Sequence, residues 1–375
     1  AWDKISKHGF INYFGFQRFG SGGSGTHLVG FEIMKQNWKK AVELIMLPRS
    51  NEYENIHKAK LAYLTESASP METYSSLPKH CIIERMVMLS LAKNGESGHQ
   101  KAIESLPKQT KTLYIHAAQS YFFNRASNHR VELYGSNEPV IGDLVREIEN
   151  VEDFDCLEDD EELEDADEQH QDKKIKLNDE SSDVEELGNE KKIRVLTEND
   201  ILAKKFNIFD LVLPLPGYSV VFPQNLCGKK FYEELLKEQD LDLNAFRSKA
   251  SRYFNLKGTY RSVVVKPNNI SLDIRSYTDN TVRLIPTDLD RLKEVHAQSK
   301  ISDSENVNER QKEKENDSAL VATEDTQMDK QQGEKLAVCL VFDLPVSSYA
   351  TMMLRELTNG NINAPKAKEL VSTAC

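Results

Sequence analysis

The sequence predicts a mixed fold of the α/β (α+β) class, and three observations predict it. Helical apolar periodicity holds over residues 28–47 and 114–131, strand-like runs recur near 209–223, 260–274 and 336–344, and two acidic tracts carry almost no apolar pattern. The tracts, near 150–190 and 299–335, are expected to be disordered insertions in surface loops.

Along the first helical stretch Met34, Trp38, Ala41, Val42 and Ile45 share a face, and Trp38 reads as a core anchor. Further apolar periodicity passes through Ile82, Met86, Met88, Leu89 and Leu91. In residues 114–131 the stripe is Ile115, Ala118, Phe122 and Ala126, with Gln119 and Asn124 beside it. These two amides either satisfy buried backbone groups, the expected role, or contact a ligand. His116, His129 and Arg130 have no metal-ligand spacing.

Next, FDLVLPLPGYSVVFP places a buried strand before a Leu213–Gly217 turn. Tyr260–Val265 and Ile270–Ile274, joined by Pro267, Asn268 and Asn269, alternate like a β-hairpin. Then LAVCLVFDL reads as a strand stopped by Pro345, followed by a helix through Leu357 that Ser347 or Ser348 would cap and Gly360 would end. That arrangement could hold a phosphate, although packing alone explains it.

At 375 residues, 39% of them hydrophobic, the chain can build two ordinary domains. Its net charge of −12 is concentrated: residues 151–190 sum to −16 and residues 301–335 to −5, leaving +9 on the rest. The folding part is therefore mildly basic. Five scattered cysteines support neither a disulfide framework nor a zinc site. The first residues lack an apolar h-region, and prolines and a glycine break the longest apolar run, so a soluble intracellular protein is expected. The tetrapeptides at 173–176 (KKIK) and 191–194 (KKIR) fit either a minimal nuclear-import cluster or solvated charge, and Ser181 and Ser182 sit in acidic surroundings that suit phosphorylation.

The most informative run is INYFGFQRFG at 11–20, followed by SGGSG. Polar donors and flat rings alternate there with no clean core face, a mixture suited to stacking on a base while holding a backbone. SGGSG lacks the Gly-Lys-Ser/Thr ending of a nucleotide phosphate loop. The spacing of Asn12, Phe14, Gly15, Gln17, Arg18, Phe19 and Gly20 resembles the signature of the TruD-type pseudouridine synthases. Five ordered blocks extend that resemblance, within it to the eukaryotic pseudouridylate synthase seven branch: GFINYFGFQRFG, LYIHAAQSYFFNRASNHRV, DLVLPLPGYSVVFP, LKGTYRSVVVKPNNIS and FDLPVSSYATMMLREL.

The resemblance implies an isomerase that converts uridine in RNA to pseudouridine without cofactor or metal. It implies a partial pseudouridine synthase catalytic fold with a mixed or antiparallel sheet, supplied by residues 1–37 and 296–375, around an inserted α/β domain at 38–295. Asn12 and Phe14 would line the uridine pocket, with Phe342 as a second aromatic. Gln17 and Arg18 would contact the RNA, or Arg18 would pair with a carboxylate such as Glu356; Phe19 reads as core. The family nucleophile is an Asp in a Gly-x-Lys-Asp motif preceding the Asn-x-Phe-Gly signature. Here Asp3 alone precedes Asn12, in the wrong context, and Asp210 belongs to a later block, so no catalytic residue is assigned and an N-terminal truncation is expected. Expected partners are RNA, foremost tRNA, with mRNA or snRNA also open, and no membrane. A monomer in the nucleus, the cytoplasm or both is expected. The alternative is a catalytically silent RNA-binding fragment or isoform.

Overall fold

The computed structural model describes residues 1–20, 24–147, 192–247, 254–279, 281, 284–293 and 335–358. Both acidic tracts, the 173–176 cluster, Ser181, Ser182 and Gly360 lie outside the described residues. Two compact units emerge, one of residues 1–268 with 344–375 and one of 269–343.

The larger unit begins with α1 (Trp2–His8), β1 (Phe10–Ile11), α2 (Phe16–Phe19), α3 (Thr26–Met34) and α4 (Trp38–Ile45). The single helix expected over 28–47 is thus two. Gln36 adopts a left-handed φ of 59°, and the Asn37 side chain accepts from the Lys40 N–H as an N-cap, so the chain stops and restarts. Met34, Ala41, Val42 and Ile45 are buried as expected, whereas Trp38 is half-buried at the start of α4, beside Phe254.

A helical group follows: α5 (Glu54–Leu64), α6 (Pro70–Ser76), α7 (Ile82–Asn94) and α8 (His99–Glu104). In α7 the core face is Val87, Met88 and Leu91, while Ile82 at the first turn is 60% exposed. Lys60 is fully buried there between Glu52 and Glu84, at 2.6 and 2.9 Å.

The axis of the unit is α9 (Lys108–Tyr134), 27 residues long. Ile115, Ala118, Phe122 and Ala126 are all buried, as their i, i+3, i+4 spacing requires. It packs on α3 at Gly30, where an added Cβ would meet the Tyr114 carbonyl oxygen at 2.1 Å, so only glycine permits this backbone approach. At its C-terminal end Arg130 is buried in a bidentate pair with Asp143, Nε–Oδ1 3.0 Å and Nη2–Oδ2 2.7 Å, and also donates to the Gly135 and Glu138 carbonyls.

Against α9 lies an antiparallel sheet in the order β3-β2-β4-β5, built from β2 (Leu144–Glu147), β3 (Lys192–Val195), β4 (Leu211–Leu215) and β5 (Thr259–Ser262). The strand expected before Leu213 continues through Pro214. β2 pairs only as far as Val212, so the missing proline N–H leaves no gap in that ladder. The 191–194 cluster is largely absorbed into β3, where Arg194 bridges Glu147 and Asp200. Two short helices, α10 (Glu198–Leu202) and α11 (Lys229–Lys237), precede β5.

The expected hairpin does not form. β6 (Val264–Val265) turns away to pair with β1, and β7 (Asn268–Tyr277) pairs with β8 (Lys335–Asp343) in the smaller unit. Asn268 and Asn269 are themselves the first residues of β7, with Asn269 at a left-handed φ of 47°, so the segment leads into a strand instead of turning back on β6. The final helix, α12 (Ala350–Leu357), is capped at Tyr349 with no side-chain hydrogen bond, and Ser347 instead has φ 61°. Neither serine caps it.

Candidate functional site

The Asn12–Gly20 motif begins where β1 ends. The Asn12 N–H donates to the Val263 carbonyl at 2.8 Å, extending the β1–β6 pairing by one residue. Its side chain is then spent on β5: Nδ2 donates to the Ser262 carbonyl at 3.1 Å, and Oδ1 accepts from Arg261 Nη2 at 2.8 Å. Arg261 Nε completes the clamp on the Asn12 carbonyl at 3.0 Å.

Phe14 is held by its backbone. Its N–H donates to Asn124 Oδ1 at 2.8 Å and its carbonyl accepts from Asn124 Nδ2 at 3.1 Å. Asn124 on α9 therefore has the structural role, as does Gln119, which donates to the Pro216 carbonyl at 2.8 Å. Gly15 brings the chain against α12: a Cβ there would lie 2.5 Å from the Gln17 side chain and 3.2 Å from those of Tyr349 and Thr351. Exposed Gln17 reaches Thr351 at 3.3 Å, and Phe19 is core.

The Phe14 ring is 7% exposed and belongs to the core. Phe123 and Tyr349 meet it edge-on, with centroids at 5.6 and 6.1 Å. Two guanidiniums lie over it, Arg261 at 4.0 Å and Arg18 at 5.4 Å from the centroid. Arg18 makes no ion pair with Glu356 or any other acid among the described residues. Burial pulls Arg261 down to about 10, an effect the nearby Arg18 charge adds to and Tyr349 opposes. A cavity of about 110 Å³ adjoins the motif at Ile11, lined also by Lys4, His8, Asn137 and Glu356, and neither Asn12 nor Phe14 lines it. A larger hollow of about 550 Å³ opens elsewhere, at Met34, Asp240 and Ala245.

Phe342 is half-buried on β8, in the smaller unit. Asp3 is exposed in the first turn of α1, and Asp210 accepts the Asn207 N–H as a local cap. Among the described residues no group of His, Cys, Asp and Glu could hold a metal, and no helix is long and apolar enough to cross a membrane. Sequence reasoning missed Arg261. It sits inside a quoted block, LKGTYRSVVVKPNNIS, but a lone Arg on a strand carries no signal of what it will face.

The family model for tRNA pseudouridine synthase D (TruD) matches residues 1–210. The multisubstrate pseudouridine synthase 7 of Schizosaccharomyces pombe is similar at 32% identity over 95% of this chain and 45% of its own length. The human pseudouridylate synthase 7 homolog is similar at 26% identity over 100% of this chain and 45% of its own. The chain thus spans about half the length of these curated relatives. A crystal structure from Methanosarcina mazei bearing the TruD name shares the fold at TM-score 0.60 and 22% identity, over 94% of this chain and 62% of that one.

Proposed function

The chain belongs to the TruD family of pseudouridine synthases, and we propose that the protein it comes from isomerises uridine to pseudouridine in RNA, with tRNA as the first substrate. In that reading the target uridine leaves its stack, at about a few kcal/mol, and the Asn12–Arg18 segment supplies one wall of the cavity that receives it. The observation that carries the proposal is the motif itself: it lies within the matched residues, and its Phe14 ring is met by two guanidiniums, neither paired with an acid among the described residues. Gln17 and Arg18, on the accessible side, would reach the RNA backbone. No cofactor or metal enters the scheme.

The nucleophile is proposed to lie outside this chain. Asp3 is exposed in the wrong context, Asp143 is consumed by Arg130 and Asp210 by a local cap. Those three placements favour a second reading for the chain alone, RNA binding without isomerisation. For both readings we propose a monomer in the nucleus, the cytoplasm or both.

The test is an assay on unmodified tRNA carrying tritium at uracil carbon 5, which is released when that carbon rejoins the ribose. This chain is compared with a version extended to include a Gly-x-Lys-Asp segment. The expected outcome is binding by both and turnover by the extended form only. Equal turnover by the short form would overturn the nucleophile assignment, and no RNA binding by either would overturn the function.

A further inference from the structure

We propose that Arg261 and Arg18 form a paired guanidinium clamp for the phosphate backbone of the RNA nucleotide that meets Phe14. This rests on the RNA-binding reading above and adds to it a residue, Arg261, and a chemical task.

Two other buried cations in this molecule are paired with acids. Lys60 sits between two glutamates and Arg130 is locked to Asp143, as the cost of burying a bare charge demands. Arg261 is 6% exposed, yet both of its hydrogen bonds go to neutral acceptors, the carbonyl and Oδ1 of Asn12. Three rings surround it, with the guanidinium carbon 4.0 Å from the Phe14 centroid, 5.6 Å from Phe123 and 5.7 Å from Tyr349. Ring faces attract a cation and recover part of the lost hydration, but they supply no negative charge.

A second cation is then brought to the same ring. Arg18 is half-buried, its guanidinium makes no hydrogen bond or ion pair among the described residues, and its charge acts unfavourably on Arg261. Two like charges held at one aromatic ring, with neither paired to an acid among the described residues, form a site complementary to an anion. The planar fork of each matches phosphate oxygens bidentately. Arg18 is half-buried and Arg261 buried, so Arg18 is the more accessible of the two. Because Arg261 also fixes Asn12, phosphate occupancy and the orientation of Asn12 are coupled.

Binding of this chain to labelled unmodified tRNA, followed by anisotropy over a series of salt concentrations, tests the clamp. Arg18→Gln and Arg261→Gln should each weaken binding and each reduce the slope of log K against log salt by about 0.7–0.9, one released counterion apiece. Arg261→Lys keeps the charge and loses the fork, so affinity should fall with the slope retained. A structural role for either arginine would change stability without moving the slope. Unchanged slopes in Arg18→Gln and Arg261→Gln would overturn the clamp. If Arg261→Gln does not fold, an unchanged slope in Arg18→Gln overturns it by itself. Wild-type chain that fails to bind RNA overturns the function instead, so the two failures are distinct.

Discussion

Arg130 and Arg261 are the same residue type, both buried in the same unit, and they are solvated in opposite ways. Around Arg130 a carboxylate and two carbonyls take the guanidinium, and Asp143 is in turn held by the Asn225 side chain and the Val140 N–H. All three guanidinium nitrogens donate within the fold, and the pair joins the end of α9 to the start of β2. Around Arg261, among the described residues, the hydrogen-bond acceptors are an amide and a carbonyl, and the other neighbours are three rings and the Arg18 charge. A buried ion whose counter-charge is internal is a fastening; one whose counter-charge is absent is a receptor kept ready at some cost in stability.

The largest effect that tests this contrast comes from the fastening. Arg130→Ala strands Asp143 as an uncompensated buried charge and should cost about 3–5 kcal/mol in urea unfolding, while RNA affinity per folded molecule stays unchanged. A third buried base, His27, sharpens the comparison because it titrates in an accessible range. Burial lowers it from 6.5 to about 4, among Phe19, Phe31 and Tyr121, with Nδ1 unpartnered. Between those values the unfolded chain binds more protons than the folded one. Stability should therefore fall as pH drops from 6.5 towards 4, by roughly 3 kcal/mol, and level off below. Acid melts of His27→Phe should lack that component.

Asn124→Ala tests the neutral analogue of a clamp. It leaves the Phe14 N–H and carbonyl unpaired in a buried place and should cost about 2 kcal/mol by thermal or urea melts. Arg261→Gln is expected to be the mildest for the fold, about 1 kcal/mol, because losing the bonds to Asn12 is offset by relief from burying an unmatched charge. Its affinity for RNA should nevertheless fall. If Arg261→Gln proves as destabilising as Arg130→Ala with RNA affinity intact, the contrast collapses.

Much of the fold was legible because it follows from spacing. The stripe of α9, the buried β4 and the strand ending at Asp343 each rest on a period that one face must satisfy. What was not legible depended on partners distant in sequence. Tyr260–Val265 and Ile270–Ile274 alternate as strands do, but alternation does not name the neighbour, and β1 and β8 took the places a hairpin would have filled. The break at Gln36 and Asn37 hides inside a good helical face, since a capping Asn is locally indistinguishable from a surface one. At the site, Asn12 and Phe14 stood out as residue types, while their tethers to Arg261 and Asn124 span 249 and 110 residues and leave no local trace.

The crossing of α3 and α9 at Gly30 carries a mechanical consequence. No side chain separates Gly30 from the Tyr114 carbonyl, and His27 and Phe31 of α3 pack on Tyr121 and Phe122 of α9, so backbone approach and ring packing together should make the two helices move as a single splint. The contacts that Tyr349 and Thr351 make with Phe14 and Gln17 run through side chains, which rotate more readily than a close backbone seam, so exchange near Phe14 is expected there first.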